Sequence, residues 1–199
     1  MSSTSPPKST KRTPAQTDAV RFWTQLNFGP SWSEAARQLS AAKGLSLTEN
    51  ARLFALLTMA MANTFIADWD AKFHYNFWRP VTAIRNGDRD GNDATERDAG
   101  WTSLNTTPMH PEYPSQAAIQ CGAGAAVLKS FFGTGPTIQF TATDSADPRL
   151  KRTFNSTGQM GEEQSLVRIW GGIHFRNTLE ISDAMGRKIS THLMTNVLT

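Results

Sequence analysis

The chain has 199 residues, 39% of them hydrophobic, enough for one domain with a buried core and too many for disorder along most of its length. Its formal net charge is +3, which Lys8, Lys11 and Arg12 supply by themselves, so the remainder is near neutral and gives no support for nucleic-acid binding. Cys121 is the single cysteine and excludes an internal disulfide.

Residues 1–12 are rich in Ser, Pro, Thr and Lys and predict a disordered basic tail ahead of a single helical domain over 13–199. This start has no apolar core of the kind a secretory signal needs, which points to a cytoplasmic or unassigned location. Thr13-Pro14 opens a first helix carrying Val20, Phe22, Trp23 and Leu26, which stops near Gly29-Pro30. A second helix spans about 31–43 and closes at Gly44. The third begins around 46–48, keeps apolar residues at Leu53, Leu56, Leu57, Met61, Phe65 and Trp69, and runs to about Trp78, where Arg79-Pro80 forces a break. Arg52, Thr58, Asn63 and Thr64 interrupt its apolar stretch, which falls short of the roughly 20 apolar residues of a membrane span and reads as a core helix.

Residues 86–114 form a long loop dense in Gly, Asp, Asn and Pro, a length that usually carries function when it is ordered. Within it Asp88, Asp90, Asn92 and Asp93 make an acidic turn without the glycine and glutamate of a calcium loop. Over 115–132 the sequence turns to Ala and Gly, small residues that let neighbours approach closely, so this is the candidate central helix, ending at Gly133. The weak alternation over 137–143 suggests a short hairpin arm. Two last helices follow at about 155–170 and 177–198, separated by Gly171-Gly172. About six helices with negligible strand predict an all-α helical bundle.

Lys72 and Arg79 are seven positions apart, two helical turns, which would put both on one side of the third helix. A solvated basic face is the ordinary reading of such a pair. These two, however, lie among Phe73, Tyr75, Phe77 and Trp78, and cations buried by aromatics need partners, which an oxyanion supplies. Ser115 directly precedes the Ala-rich helix as a natural N-cap, where bare N–H groups attract an anion. Arg168 and His174 are six residues apart, about 240° around an unbroken helix, so they share a pocket only if the helix ends between them. Gly171-Gly172 supplies that ending.

The segments KFHYNFWRP, PEYPS and RIWGGIHFR, in this order, resemble the three signatures of the vanadium-dependent haloperoxidases and PAP2-type acid phosphatases. The similarity runs from RTPAQT to the final helix and is chiefly to the bacterial haloperoxidase-like branch. It implies that Lys72, Arg79 and Arg168 bind the equatorial oxygens of vanadate, or of phosphate in its place, with Ser115 and the backbone at Gln116 adding hydrogen bonds. It makes His174 the axial ligand of the vanadium, or the nucleophile of a phosphatase. A small organic substrate, halide and hydrogen peroxide would be the partners. Members of that branch usually carry a further helical half in front, and an apolar face left uncovered without it would favour a homo-oligomer.

Three positions depart from the pattern. Gln116-Ala117 stands where the family has Gly-His, removing an acid–base group worth about 10² to 10⁴ in rate. Val167 replaces a serine, and Thr178 stands where an aspartate would orient the ligand histidine. Glu180 is close in sequence but turned away. His110, in the long loop, is a better substitute for the lost histidine than His74, and His192 reads as a surface residue. Three readings follow: a haloperoxidase, a phosphatase working through His174, or a redox-silent homologue that binds an anion or rearranges a small molecule by acid–base chemistry.

Overall fold

The computed structural model describes residues 11–25, 28–133, 140–143 and 151–197. Most of the predicted basic tail lies outside them; Arg12 is described and donates to the Trp170 carbonyl at 3.0 Å. Thr13 opens α1 (Pro14–Gln25) as its sequence suggests. Its hydroxyl accepts from the Gln16 N–H at 3.2 Å while the Gln16 side chain accepts from the Thr13 N–H at 2.9 Å, a reciprocal cap.

Helix α2 (Phe28–Lys43) starts before the predicted Ser31. Gly29-Pro30 lies inside its first turn, where a missing N–H leaves no bond unmade. Helix α3 (Leu47–Tyr75) opens on a capping box between Ser46 and Glu49. Its buried stripe is Leu53, Leu56, Leu57, Ala60, Thr64, Asp68 and Lys72, spaced three and four apart as one helix face requires. The stripe is apolar at its start and charged at its end, so one helix serves both the core and a buried polar region.

The end of α3 corrects the sequence reading. Asn76 adopts a left-handed conformation (φ 44°) and stops the helix, its N–H returning to the Lys72 carbonyl, a conformation asparagine tolerates better than most residues. Arg79 is therefore not on α3. It sits extended (φ −80°, ψ 156°) ahead of Pro80, as a residue before proline is pushed to do, and caps the short α4 (Pro80–Arg85). Neither α4 nor the 3-10 turn Gly87–Arg89 was anticipated.

Helix α5 (Gln116–Phe132) is the central helix. After it β1 (Phe140–Thr143) pairs antiparallel with β2 (Lys151–Phe154), Phe140 opposite Phe154; the predicted arm thus holds a strand at 140–143, and residues 137–139 lie outside the described part. Helices α6 (Thr157–Trp170) and α7 (Arg176–Asn196) complete the bundle, with Gly171-Gly172 between them as predicted. Helix α7 crosses α5 at backbone contact: a Cβ at Gly122 would lie 2.1 Å from the Asp183 carbonyl oxygen, and one at Gly186 would lie 2.0 Å from that of Ile119. Trp23, Trp32, Leu53, Leu56, Leu57, Leu128 and Met160 are fully buried and form the core between α1, α2, α3, α5 and α6. The protein is thus an all-α helical bundle with one short β-ribbon, seven α-helices among the described residues. None of them is long and apolar enough to cross a membrane.

Candidate active site

At the charged end of the α3 stripe Lys72 and Asp68 are both 0% exposed. The Lys72 ammonium donates to the carbonyls of Pro111 (3.1 Å), Glu112 (3.3 Å) and Pro114. It also lies 3.6 Å from the Asp68 carboxylate, an ion pair beyond hydrogen-bond length. Burial pulls the Lys72 ammonium down to about 8 and pushes the Asp68 carboxyl up to about 6, each against the pull of the other's charge. Lys72 therefore straps the last residues of the long loop onto α3.

Arg79 fills the space between that loop and the α6–α7 turn. Its guanidinium donates to the carbonyls of Ile173 (2.8 Å), His110 (3.1 Å) and Pro111 (3.3 Å). It also lies 3.0 Å from His174 Nε2 and 3.1 Å from His110 Nδ1. A guanidinium has only donors, so His174 Nε2 must accept; His110 Nδ1 lies between the Arg79 donor and the Pro111 carbonyl at 3.2 Å, neighbours that call for opposite tautomers. His174 is then protonated on Nδ1, which donates to Glu112 Oε1 at 2.8 Å. Burial, then the charges of Arg79, Arg168 and Lys72, hold the His174 pKa well below the ordinary histidine value; burial and the Lys72 and Arg79 charges lower that of His110. His174 is thus neutral near pH 7, with a buried lone pair on Nε2, the form in which an imidazole is a ligand or nucleophile.

Glu112 is 0% exposed. The Phe175 N–H donates to its Oε1 (3.0 Å) and the Thr178 hydroxyl to its Oε2 (2.8 Å). Burial pushes its carboxyl up, while these donors and the nearby cations favour its ionised form.

Ser115 stands at the N-cap position of α5, but its hydroxyl does not cap the helix. Its N–H donates to Ser182 Oγ at 2.8 Å, and its own Oγ is buried with no hydrogen-bond partner among the described residues. Beside it a cavity of about 170 Å³ is lined by Phe65, Pro108, His110, Gln116, Ala117, Gln120, Arg168 and His174. Arg168 reaches this cavity from the last turn of α6, and its guanidinium is pulled down to about 10 by burial and by Arg79. The chain then reverses at Gly172 (φ 77°), where a Cβ would press on the Trp101 ring at 2.9 Å, and returns His174 to the same cavity.

The structure thus brings Arg79, Arg168, His174, His110 and Gln116 together, with Ser115 beside them. Lys72 is at the site but its ammonium is engaged with loop carbonyls. His74 is exposed against Tyr75, and His192 is exposed on α7. Val167 is buried in the core, Glu180 is exposed, and Ala117 lines the cavity without a group to transfer a proton. Sequence reasoning missed Asp68 and Glu112. The signal for the first was its position one helical turn before Lys72; for the second, an acidic residue inside PEYPS. Among the described residues no group of three or more His, Cys, Asp or Glu side chains is placed to hold a bare cation; the buried charges here are chiefly guanidinium and ammonium, which suit an oxyanion.

A helical bundle with a cavity at a helix start, lined by Arg168 and His174 with Arg79 bonded to that histidine, belongs with the class of helical haloperoxidase-like proteins. Within it the chain belongs to a particular family: residues 52–199 match the VCPO second helical-bundle domain. It is 27% identical, over an alignment of 224 residues, to the vanadium chloroperoxidase of Curvularia inaequalis, covering 84% of this chain and 37% of that one. The crystal structure of the first bacterial vanadium-dependent iodoperoxidase superposes with a TM-score of 0.77 at 26% identity, covering 90% of this chain and 43% of that one. The holo-type bacterial vanadium-dependent chloroperoxidase shares the fold, with a TM-score of 0.71 at 20% identity over 92% of this chain and 44% of that one. The chain thus spans less than half the length of each of these relatives.

Proposed function

We propose that this cavity binds vanadate, with phosphate as an inert substitute, and that the loaded protein oxidises halide with hydrogen peroxide. The observation that carries the reading is His174: buried and neutral, it presents Nε2 at 3.0 Å from the Arg79 guanidinium. The residues present fit the group. Ser115 Oγ is a buried hydroxyl with no partner among the described residues, Arg168 lines the cavity, and the first N–H groups of α5 are free of intrahelical bonds by helix geometry. Vanadate, when bound, supplies Lewis-acid activation of peroxide toward halide.

The protein's part is to hold and stabilise charge. Arg79 and Arg168 would offset the negative charge, the Ser115 hydroxyl and the Gln116 N–H would donate hydrogen bonds, and His174 would offer its Nε2 lone pair once the Arg79 N–H it accepts turns to the anion. Stabilisation of this kind is usually the largest catalytic contribution. Lys72 lends its charge while holding the loop. His110 is the remaining imidazole in the cavity wall. Held between the Arg79 guanidinium and the Pro111 carbonyl, it is the group available to replace the lost acid–base histidine. A second reading, a redox-silent anion-binding homologue, draws its support from Ala117 in the cavity wall. Phosphate-ester hydrolysis through His174 is less favoured, since a leaving group needs an acid.

Rebuilding the family motif as Gln116→Gly/Ala117→His separates these readings. Vanadate-dependent bromide oxidation, read with a phenol dye and peroxide, should rise by about 10² to 10⁴ if only the proton-transfer group is lacking. Fast turnover in the native protein that disappears in His110→Ala gives the role to His110. If both proteins bind vanadate and neither turns over, the haloperoxidase reading fails and the redox-silent one stands.

A further inference from the structure

Glu112 enters the site from the loop ahead of α5, whereas His174 and Thr178 belong to the turn before α7 and its first turn. One oxygen of the carboxylate takes both the His174 Nδ1–H and the Phe175 N–H, at 2.8 and 3.0 Å, which ties the ring to the backbone that follows it. The other takes the Thr178 hydroxyl at 2.8 Å. Thr178 is anchored in turn: its carbonyl accepts from Ser182 Oγ at 2.5 Å, and that hydroxyl accepts the Ser115 N–H. The Glu112 backbone is held on both sides, its N–H on the Phe77 carbonyl at 2.9 Å and its carbonyl by Lys72.

We propose that Glu112, anchored by Thr178, is the positioning residue of His174, fixing its tautomer and ring orientation so that Nε2 faces the anion cavity. The proposal rests on the reading of His174 as the nitrogen that meets the anion. A neutral imidazole keeps one proton, and a carboxylate on Nδ1 commits it there, leaving Nε2 as the acceptor. Thr178 cannot replace Glu112, since its hydroxyl is short and already donates to Oε2. An acid at 178 beside Glu112 would bring two buried carboxylates within hydrogen-bond distance, which repel each other. Threonine at 178 and glutamate at 112 are therefore complementary: the family's carboxylate is relocated from the helix to the loop. Position 178 stays the partner of that carboxylate, so the two positions exchange roles only as a pair.

Nitrogen NMR of the 15N-histidine-labelled full chain tests this without any loaded anion. In the wild type His174 should carry its proton on Nδ1; a proton on Nε2 overturns the proposal with no variant needed. Glu112→Gln keeps an acceptor and should retain the Nδ1–H form, whereas Glu112→Leu should lose it. Orthovanadate affinity should fall about 10- to 100-fold in Glu112→Leu, the range found when second partners of ligand histidines are removed. Glu112→Ala/Thr178→Asp should recover both the tautomer and the affinity. Unchanged tautomer and affinity in Glu112→Leu, or no recovery in the paired variant while Glu112→Gln behaves as wild type, would show that Glu112 is only a satisfied buried acid. If wild type shows the Nδ1–H form but binds no vanadate, the functional reading fails and the positioning role survives.

Discussion

Lys72 shows how a residue named for chemistry also carries architecture. Its three carbonyl acceptors all lie within 111–114, so its charge fixes the loop from which Glu112 reaches His174. Replacing it with Met leaves Asp68 a buried, uncompensated acid and strips three carbonyls of a donor, and removing one partner of a buried pair typically costs about 3–5 kcal/mol. Urea denaturation of Lys72→Met should show a loss of that order, and a loss below about 1 kcal/mol, as for an exposed pair, would contradict this role. Residue types were the most legible feature of the site. Arg79, Arg168 and His174 were marked by their segments, because few other chemistries need cations among aromatics and a histidine after a glycine pair. Asp68 and Glu112 were not, because a carboxylate means something here only once the fold has buried it against its partners.

The starts of α1, α3 and α5 and the glycine pair after α6 were legible because caps and turns are local chemistry, whereas Gly29-Pro30, read as a stop, lies in the first turn of α2. Asn76 was less so: the apolar pattern carries on past it, and only its left-handed backbone ends α3 early. That difference moved Arg79 off the helix without moving it out of the site, since the residue before Pro80 turns back toward the loop. The small residues of α5 were read as permitting close approach, and the α5–α7 crossing shows the reciprocal contact they allow. Because the obstacle at Gly122 and Gly186 is backbone, neither Gly122→Ala nor Gly186→Ala can be relieved by a rotamer change. Each should lower stability by about 1–3 kcal/mol or more through overpacking, read as a lower denaturation midpoint. Gly29→Ala, with open space around its Cβ, is the control, and an equal loss there would refute the close-packing account.

For the whole molecule the bundle class followed from helix periodicity, while the exact helix count did not, because α4 is too short to show a period. Helix α3 keeps apolar side chains at the surface: Ile66 is 70% exposed and Phe73, two turns on, 68%. Large exposed apolar side chains favour association. We infer that this face meets a second copy: light scattering at micromolar concentration should give at least a dimer, and Ile66→Lys/Phe73→Glu should shift it toward monomer. A clean wild-type monomer would remove that inference and leave the pocket untouched.

The central claim is that this cavity holds an oxyanion through its guanidinium groups and His174. Calorimetric titration of orthovanadate into the wild type and Arg79→Ala/Arg168→Ala, with folding verified by circular dichroism, tests it most directly. Losing two charge-assisted donors should weaken binding by about 100-fold or more. Equal affinity in the two folded proteins would contradict the assignment.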